Sequence, residues 1–258
     1  MLLTKLRGYL ALSVVVLALL LLDPIQRLVV GPWARVAPSR RIRLFTAWQR
    51  FLAQVVIQPV QRIGGARIPT VPRIPGREGI LVLMNHQSFL DIPLLVAAIH
   101  DAYPKIVTRK RYLRWIPTVS HLVRLYEYPV VDPSANPSES RTMLASIRTA
   151  ARDSDVPLAI FPEGTRSKDG EIGRFHTTGL KLILRQRAWT VYVLVVDGFW
   201  ERAKIKHFLD GLGAMRGAMT LLGPFEWEDP RAQPEPFVEE MRHRMVEALA
   251  QLRAATPT

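Results

Sequence analysis

Cysteine is missing from all 258 residues. Its absence excludes disulfides, thiolate metal sites and an acyl-cysteine intermediate, though it says little about compartment. No Gly-x-Ser-x-Gly elbow occurs, which sets aside a serine nucleophile of the hydrolase type. There is no internal repeat, low-complexity tract or zinc-type spacing. Acids are scarce at the front of the chain: residues 1–63 hold Asp23 alone against nine bases, Lys5, Arg7, Arg27, Arg35, Arg40, Arg41, Arg43, Arg50 and Arg62. Overall, Lys+Arg number 35 and Asp+Glu 22, a formal charge of +13 that calls for an acidic partner, either nucleic acid or an anionic membrane face. The bases are not gathered in an aromatic-interleaved motif and no nucleic-acid module is recognisable, so no nucleic-acid partner is expected.

Charge is also absent from Gly8 to Leu22. A full membrane span needs about 20 apolar residues, so this run is short unless its flanks join in. No small-x-small cleavage pattern follows, which speaks against a signal peptide. A buried core helix is the rival reading, and a membrane anchor is the favoured one. From Ser39 to Val56 the pattern is helical, with Ile42, Phe45, Phe51 and Leu52 on one apolar side and Arg40, Arg41, Arg43 and Arg50 on the polar surroundings. Such a helix fits the membrane interface and the surface of a folded domain equally well. Residues 1–62 are therefore expected to form an N-terminal membrane anchor with an amphipathic helix, facing an anionic cytoplasmic leaflet. Residues 63–258 are expected to form the catalytic domain, entered through a Gly-, Pro- and Arg-rich linker, Ile63 to Arg77.

Beyond that linker, strand-like runs alternate with helical ones. The strands are expected at Ile80 to Met84, Lys105 to Thr108, Tyr128 to Val131, Leu158 to Phe161, Val191 to Val196 and Met219 to Leu222. Helices are expected at Ile92 to His100, Glu139 to Arg152, Thr178 to Gln186 and Pro236 to Ala254. The alternation predicts an α/β fold with a mixed, mostly parallel sheet flanked by helices.

Two loops carry chemistry. The run Leu81-Val82-Leu83-Met84 ends in Asn85-His86, and Asp91 follows at the start of a helical stretch. A histidine at a strand end can take a proton from a hydroxyl, and a nearby carboxylate would fix its tautomer and steady the imidazolium. This spacing works only with His86 in the turn and Asp91 in the first helical turn. The competing reading is an N-capping aspartate and a histidine that only bonds the turn. The second loop, Phe161-Pro162-Glu163-Gly164-Thr165-Arg166-Ser167, also follows an apolar run. It offers a glycine for close approach, two hydroxyls and an arginine fork that suits phosphate, against the bland reading of a polar surface turn.

Taken together, Asn-His-x-x-x-x-Asp and Phe-Pro-Glu-Gly-Thr-Arg-Ser resemble the glycerolipid acyltransferase family, which includes 1-acylglycerol-3-phosphate acyltransferase. The resemblance runs from about Gly79 to about Gly198. Lys110 to Pro117 is similar to the family's second block, and Phe175 to Gly179 to the Phe-x-x-x-Gly that precedes its fourth, here Val191 to Val196 without the usual prolines. Where the family carries Asp-Arg at a strand end, this chain has Asp132-Pro133, and Lys110, Arg124 and Arg141 are the candidate substitutes. The resemblance implies an O-acyltransferase that moves a fatty acyl group from acyl-CoA or acyl carrier protein to the free hydroxyl of 1-acylglycerol-3-phosphate, giving phosphatidic acid, with no cofactor beyond that co-substrate. It makes His86 the general base and Asp91 its orienting partner, and assigns acceptor binding to Asn85, Lys110, Glu163, Gly164, Thr165 and Arg166. Two alternatives remain open: another lyso-lipid acceptor, and a non-catalytic basic membrane-surface protein.

Overall fold

The computed structural model describes residues 2–132, 134–202 and 211–255. Helix α1 (Leu2–Ile25) runs through a π-helical turn at Gln26–Val30 into α2 (Gly31–Val36), and α3 (Arg41–Arg62) turns back along it. There follow β1 (Ile74–Pro75), β2 (Ile80–Met84), α4 (Asp91–Ala98), β3 (Ile99–His100), β4 (Lys105–Ile106), β5 (Thr108–Arg109), α5 (Val119–Leu125), β6 (Val130–Val131), α6 (Pro137–Asp153), β7 (Leu158–Ile160), α7 (Thr177–Leu184), β8 (Trp189–Asp197), β9 (Ala218–Trp227) and α8 (Pro234–Ala255).

Five strands form the main sheet in the order β4-β7-β2-β8-β9, parallel except for the antiparallel edge strand β9. This is the expected mixed, mostly parallel sheet. The central strand shows why its sequence is apolar throughout: Ile80, Val82 and Met84 enter one core, Leu81 and Leu83 the other. Successive side chains point to opposite faces, and here helices cover both. The first core takes Phe45, Leu52, Ile57, Leu94 and Leu95 from α3 and α4; the second takes Ile147, Leu180, Ile183, Met241 and Met245 from α6, α7 and α8. Each of these burials is worth roughly 1.5–3 kcal/mol before the cost of ordering the chain.

Several expected elements are drawn differently. The strand expected at Tyr128 to Val131 is short, and β6 pairs only with β5, outside the main sheet. Of Lys105 to Thr108, only β4 reaches the main sheet, while Thr108 turns away to donate to Pro129 O at 2.9 Å. The helix expected to end at His100 stops at Ala98, because Ile99 and His100 pair with β1. The stretch read as a linker is tied down: Arg67 N donates to Met215 O at 3.0 Å, Gly217 N donates to Arg67 O at 2.9 Å, and Ile74 is fully buried. Gly76 allows that packing, since a Cβ there would stand 1.8 Å from His100 O.

At the front, Thr4–Val36 is a helix long and apolar enough to cross a membrane, with only 17% of its apolar window buried. Leu6, Leu17, Leu21, Leu28, Trp33 and Val36 are exposed along it. Its middle is docked on the catalytic fold. Gln26, fully buried, donates to Thr118 O at 2.9 Å, bonds His121 Nδ1 at 2.9 Å and accepts from Trp48 Nε1 at 2.7 Å. Thr118 N donates to Asp23 Oδ1 at 2.6 Å and Thr118 Oγ1 donates to Leu19 O at 2.6 Å. The apolar side of α3 lies against α4, so residues before and after position 62 share one core.

Candidate active site

Parallel pairing in register brings Leu83 beside Ile160, so β2 and β7 end at the same edge of the sheet. The two motif loops leave from those ends, where ligand sites of open α/β sheets lie. Asn85 begins the first loop as an extension of the sheet: its amide donates to Val196 O and accepts from Val196 N, both at 2.8 Å. That side-chain bridge holds the start of the loop to β8.

His86 Nδ1 lies 2.7 Å from Asp91 Oδ2. A carboxylate can only accept, so Nδ1 carries the proton, and in the neutral ring the lone pair for an incoming hydroxyl then lies on Nε2. Asp91 is 0% exposed. Its charge is sustained by further donors: Gln87 N at 2.6 Å and Ser88 N at 2.7 Å reach Oδ2, and Ser88 Oγ at 3.1 Å reaches Oδ1. A buried carboxylate needs such partners. The histidine ring is partly open, 19% exposed, and packs against Phe161 at 4.5 Å between centroids.

The second loop supports the first from below. Glu163 is buried and accepts from His86 N at 2.9 Å on Oε1 and from Gly173 N at 2.8 Å on Oε2. Burial pushes its carboxyl above the ordinary value, with the Gly173 and His86 N–H groups pulling the other way. Ser167 N donates to His86 O at 2.7 Å, closing the loops onto each other. Gly164 takes φ +63, and a Cβ there would come within 2.9 Å of the His176 ring. Only glycine makes that turn without strain.

Of the residues expected to bind the acceptor, Gly164, Thr165 and Arg166 are exposed on this loop beside His86. Asn85 and Glu163 are buried and hold backbone, where the sequence suggested contact with the acceptor. Lys110 is taken up by acids, 3.2 Å from Glu139 and 3.8 Å from Asp132. Arg124 donates to Leu113 O at 2.6 Å. Pro133 lies outside the described residues. Arg109, which the sequence did not single out, donates from Nη2 to Gly164 O at 2.6 Å and brings a guanidinium to the loop. Gln87, Asp197 and Arg253 were equally unmarked, and each joins the site through contacts far apart in sequence.

A proton-accepting imidazole, oriented by a buried carboxylate and, among the described residues, with no nucleophilic side chain bonded to Nε2, is suited to a substrate that brings its own hydroxyl. The chain belongs to the acyltransferase family, whose model matches residues 65–196, just over half of its length. It is 31% identical over 164 residues to a 1-acyl-sn-glycerol-3-phosphate acyltransferase of Cocos nucifera, an alignment covering 52% of each chain. A Helicobacter pylori protein of the same name is 29% identical over 168 residues, 64% of this chain and 66% of that one. The chain thus spans about half the length of the coconut relative. Its fold also matches the crystal structure of the 1-acyl-sn-glycerophosphate acyltransferase PlsC from Thermotoga maritima, with a TM-score of 0.58 at 15% identity over 92% of this chain and all of that one.

Proposed function

We propose that the protein transfers a fatty acyl group from an acyl thioester, acyl-CoA or acyl carrier protein, to the free hydroxyl of 1-acylglycerol-3-phosphate, giving phosphatidic acid. The observation that carries this reading is the 2.7 Å contact between His86 Nδ1 and the fully buried Asp91. As the acceptor oxygen attacks the thioester carbonyl, its proton passes to His86 Nε2, and Asp91 stabilises the imidazolium. The tetrahedral intermediate then collapses, the C–S bond breaks, and the imidazolium returns the proton to the departing thiolate. No covalent enzyme intermediate is required, because the substrate hydroxyl is the nucleophile.

The acceptor's phosphate is assigned to Arg166, with Arg109 bonded to the same loop at Gly164. Arginine forks grip phosphate in two places. The names of the two relatives support this acceptor. A second reading, a lyso-lipid with a different headgroup, is favoured by the pairing of Lys110 with Glu139 and Asp132 and by proline at 133.

Membrane attachment belongs to the same reading. A hollow of about 570 Å³ is lined by Trp33, Arg40, Arg43 and Leu44, beside the exposed apolar side of α1 and α2. An indole and two arginines suit the headgroup layer of an anionic membrane. The bonds of Asp23 and Gln26 to Thr118 favour a helix lying against the membrane face alongside the catalytic fold.

The test is turnover by purified protein across a panel of lysolipids with both thioester donors. Acyl transfer highest with 1-acylglycerol-3-phosphate supports the proposal. Preference for an uncharged or larger headgroup favours the second reading, and no transfer to any acceptor sinks both.

A further inference from the structure

We propose that Arg253, on the last helix, is a positioning residue for the catalytic turn, acting through Asp197 and Gln87 on one side and through the Gly170 loop on the other. The inference rests on the proton-transfer reading of His86 and Asp91. Both Asp197 and Arg253 lie beyond residue 196, where the family match ends.

Arg253 divides its guanidinium between two structures. Nε donates to Asp197 Oδ2 at 2.9 Å, at the end of β8, while Nη2 donates to Gly170 O at 2.9 Å and Nη1 to Glu171 Oε1 at 2.6 Å. Asp197 Oδ1 accepts from Gln87 Nε2 at 2.9 Å. Gln87 is fully buried; its Oε1 accepts from Phe199 N at 3.2 Å, and its own N–H donates to Asp91 Oδ2 at 2.6 Å. On the other side, Gly170 N donates to Ser167 Oγ at 2.9 Å, and Ser167 N donates to His86 O at 2.7 Å. The contacts close a circuit: His86, Asp91, Gln87, Asp197, Arg253, Gly170, Ser167 and back to His86.

The circuit has little slack. Gly170 sits at φ +86 with the Trp200 indole so near that a Cβ would meet its Nε1 at 2.6 Å. Burial pushes the Asp197 carboxyl up, but hydrogen bonds from Arg253, Gln87 and the Gly198 N–H more than offset this and hold it below its ordinary value. Removing Arg253 therefore leaves a half-buried carboxylate without its cation, and Gln87 loses a fixed partner directly behind Asp91. Of the other arginines on α8, Arg244 binds Glu240 one turn away, and Arg242 pairs with Glu239 and donates to Gly173 O at 3.2 Å without reaching Asp197. Arg253 alone among the arginines of this helix ties both ends of the active-site edge.

The experiment uses the full-length protein and measures kcat, both KM values and Tm for Arg253→Gln, Arg253→Lys, Asp197→Asn and the Asp197→Asn/Arg253→Gln double variant, with His86→Ala as reference. Small displacements of a catalytic group cost up to about 100-fold. Arg253→Gln should lower kcat roughly 10- to 100-fold by that scale, with both KM values within about threefold and Tm down by a few degrees. Lysine should recover part of the loss, since it restores the charge without the fork. The double variant should be little worse than the worse single one, as for residues in one network. Arg253→Gln turning over within about twofold of wild type beside an inactive His86→Ala would overturn the positioning role alone. Additive losses, or a kcat deficit that disappears on cooling below the variant's melting range, would overturn it as well. An active His86→Ala would overturn the reading of the dyad, and the inference with it.

Discussion

Asp91→Asn separates charge from shape at the centre of the site. The amide is nearly isosteric, and its oxygen can take the place of Oδ2, which accepts from His86 Nδ1, Gln87 N and Ser88 N at 2.7, 2.6 and 2.7 Å. Its NH2 then faces Ser88 Oγ, which already accepts from Leu90 N at 3.0 Å and has a second lone pair to offer. The fold therefore survives: bonds to an anion are about twice as strong as neutral ones, but the variant no longer buries a charge, and a net change of about 0–2 kcal/mol follows. That is a Tm shift of a few degrees for a chain of this size. Catalysis does not survive. In this orientation no negative charge meets the imidazolium; in the flipped one the NH2 faces Nδ1 and forces the proton onto Nε2, the atom that must accept. A general base contributes about 10²–10⁴-fold, so kcat should fall by that factor, about 3–5 kcal/mol in barrier. Acceptor-dependent release of thiol from the donor reports it, and a chain without cysteine adds no thiol background. Turnover within about threefold of wild type, in a variant that melts within a few degrees of it, would refute the reasoning.

Four further perturbations have expected outcomes. Glu163→Gln leaves His86 N or Gly173 N facing a donor, at a cost of about 1–3 kcal/mol, and kcat falls with it. Because burial raises the Glu163 carboxyl, the folded state holds its proton more tightly than the unfolded state does, so wild-type stability is lost as pH rises through that titration; melting curves across the range should move in the variant's favour at higher pH. Arg166→Lys should raise KM for the lyso-phosphate acceptor several-fold while KM for the donor and Tm change little, because the fork is lost and the charge kept. Replacing Leu28, Trp33 and Val36 with Ser should release protein from anionic vesicles with turnover toward soluble short-chain substrates retained. By contrast, a chain cut before Ile63 loses Phe45, Leu52 and Ile57 from the core and should not fold, which solubility and circular dichroism would show.

What could be read in the sequence was short in range. The apolar run of β2, the turn and the early helical aspartate fix His86 and Asp91 within five positions, and a fully apolar strand announces a sheet covered on both faces. The Glu163 loop was visible as a motif, but its geometry was not: that Glu163 holds His86 N depends on β2 and β7 being neighbours, which no local pattern encodes. Gln87, Asp197 and Arg253 meet across separations of 110 and 56 residues and carry no pattern of their own. Amphipathic α3 fitted a membrane and a protein surface alike, because both bury one apolar face. Tyr128 to Val131 looked like a sheet strand by composition, yet only Val130 and Val131 pair, and their partner is the two-residue β5. Lys110 matched a block by spacing, and only the fold could bring Glu139 and Asp132 to it.

The most direct test of the central claim is the turnover of His86→Ala with 1-acylglycerol-3-phosphate and a long-chain acyl thioester, measured as phosphatidic acid formed. The proposed function predicts formation of phosphatidic acid by the wild type, and the dyad a loss of roughly 10²–10⁴-fold in the variant, with Tm nearly unchanged. A folded His86→Ala that forms phosphatidic acid at the wild-type rate would contradict the account.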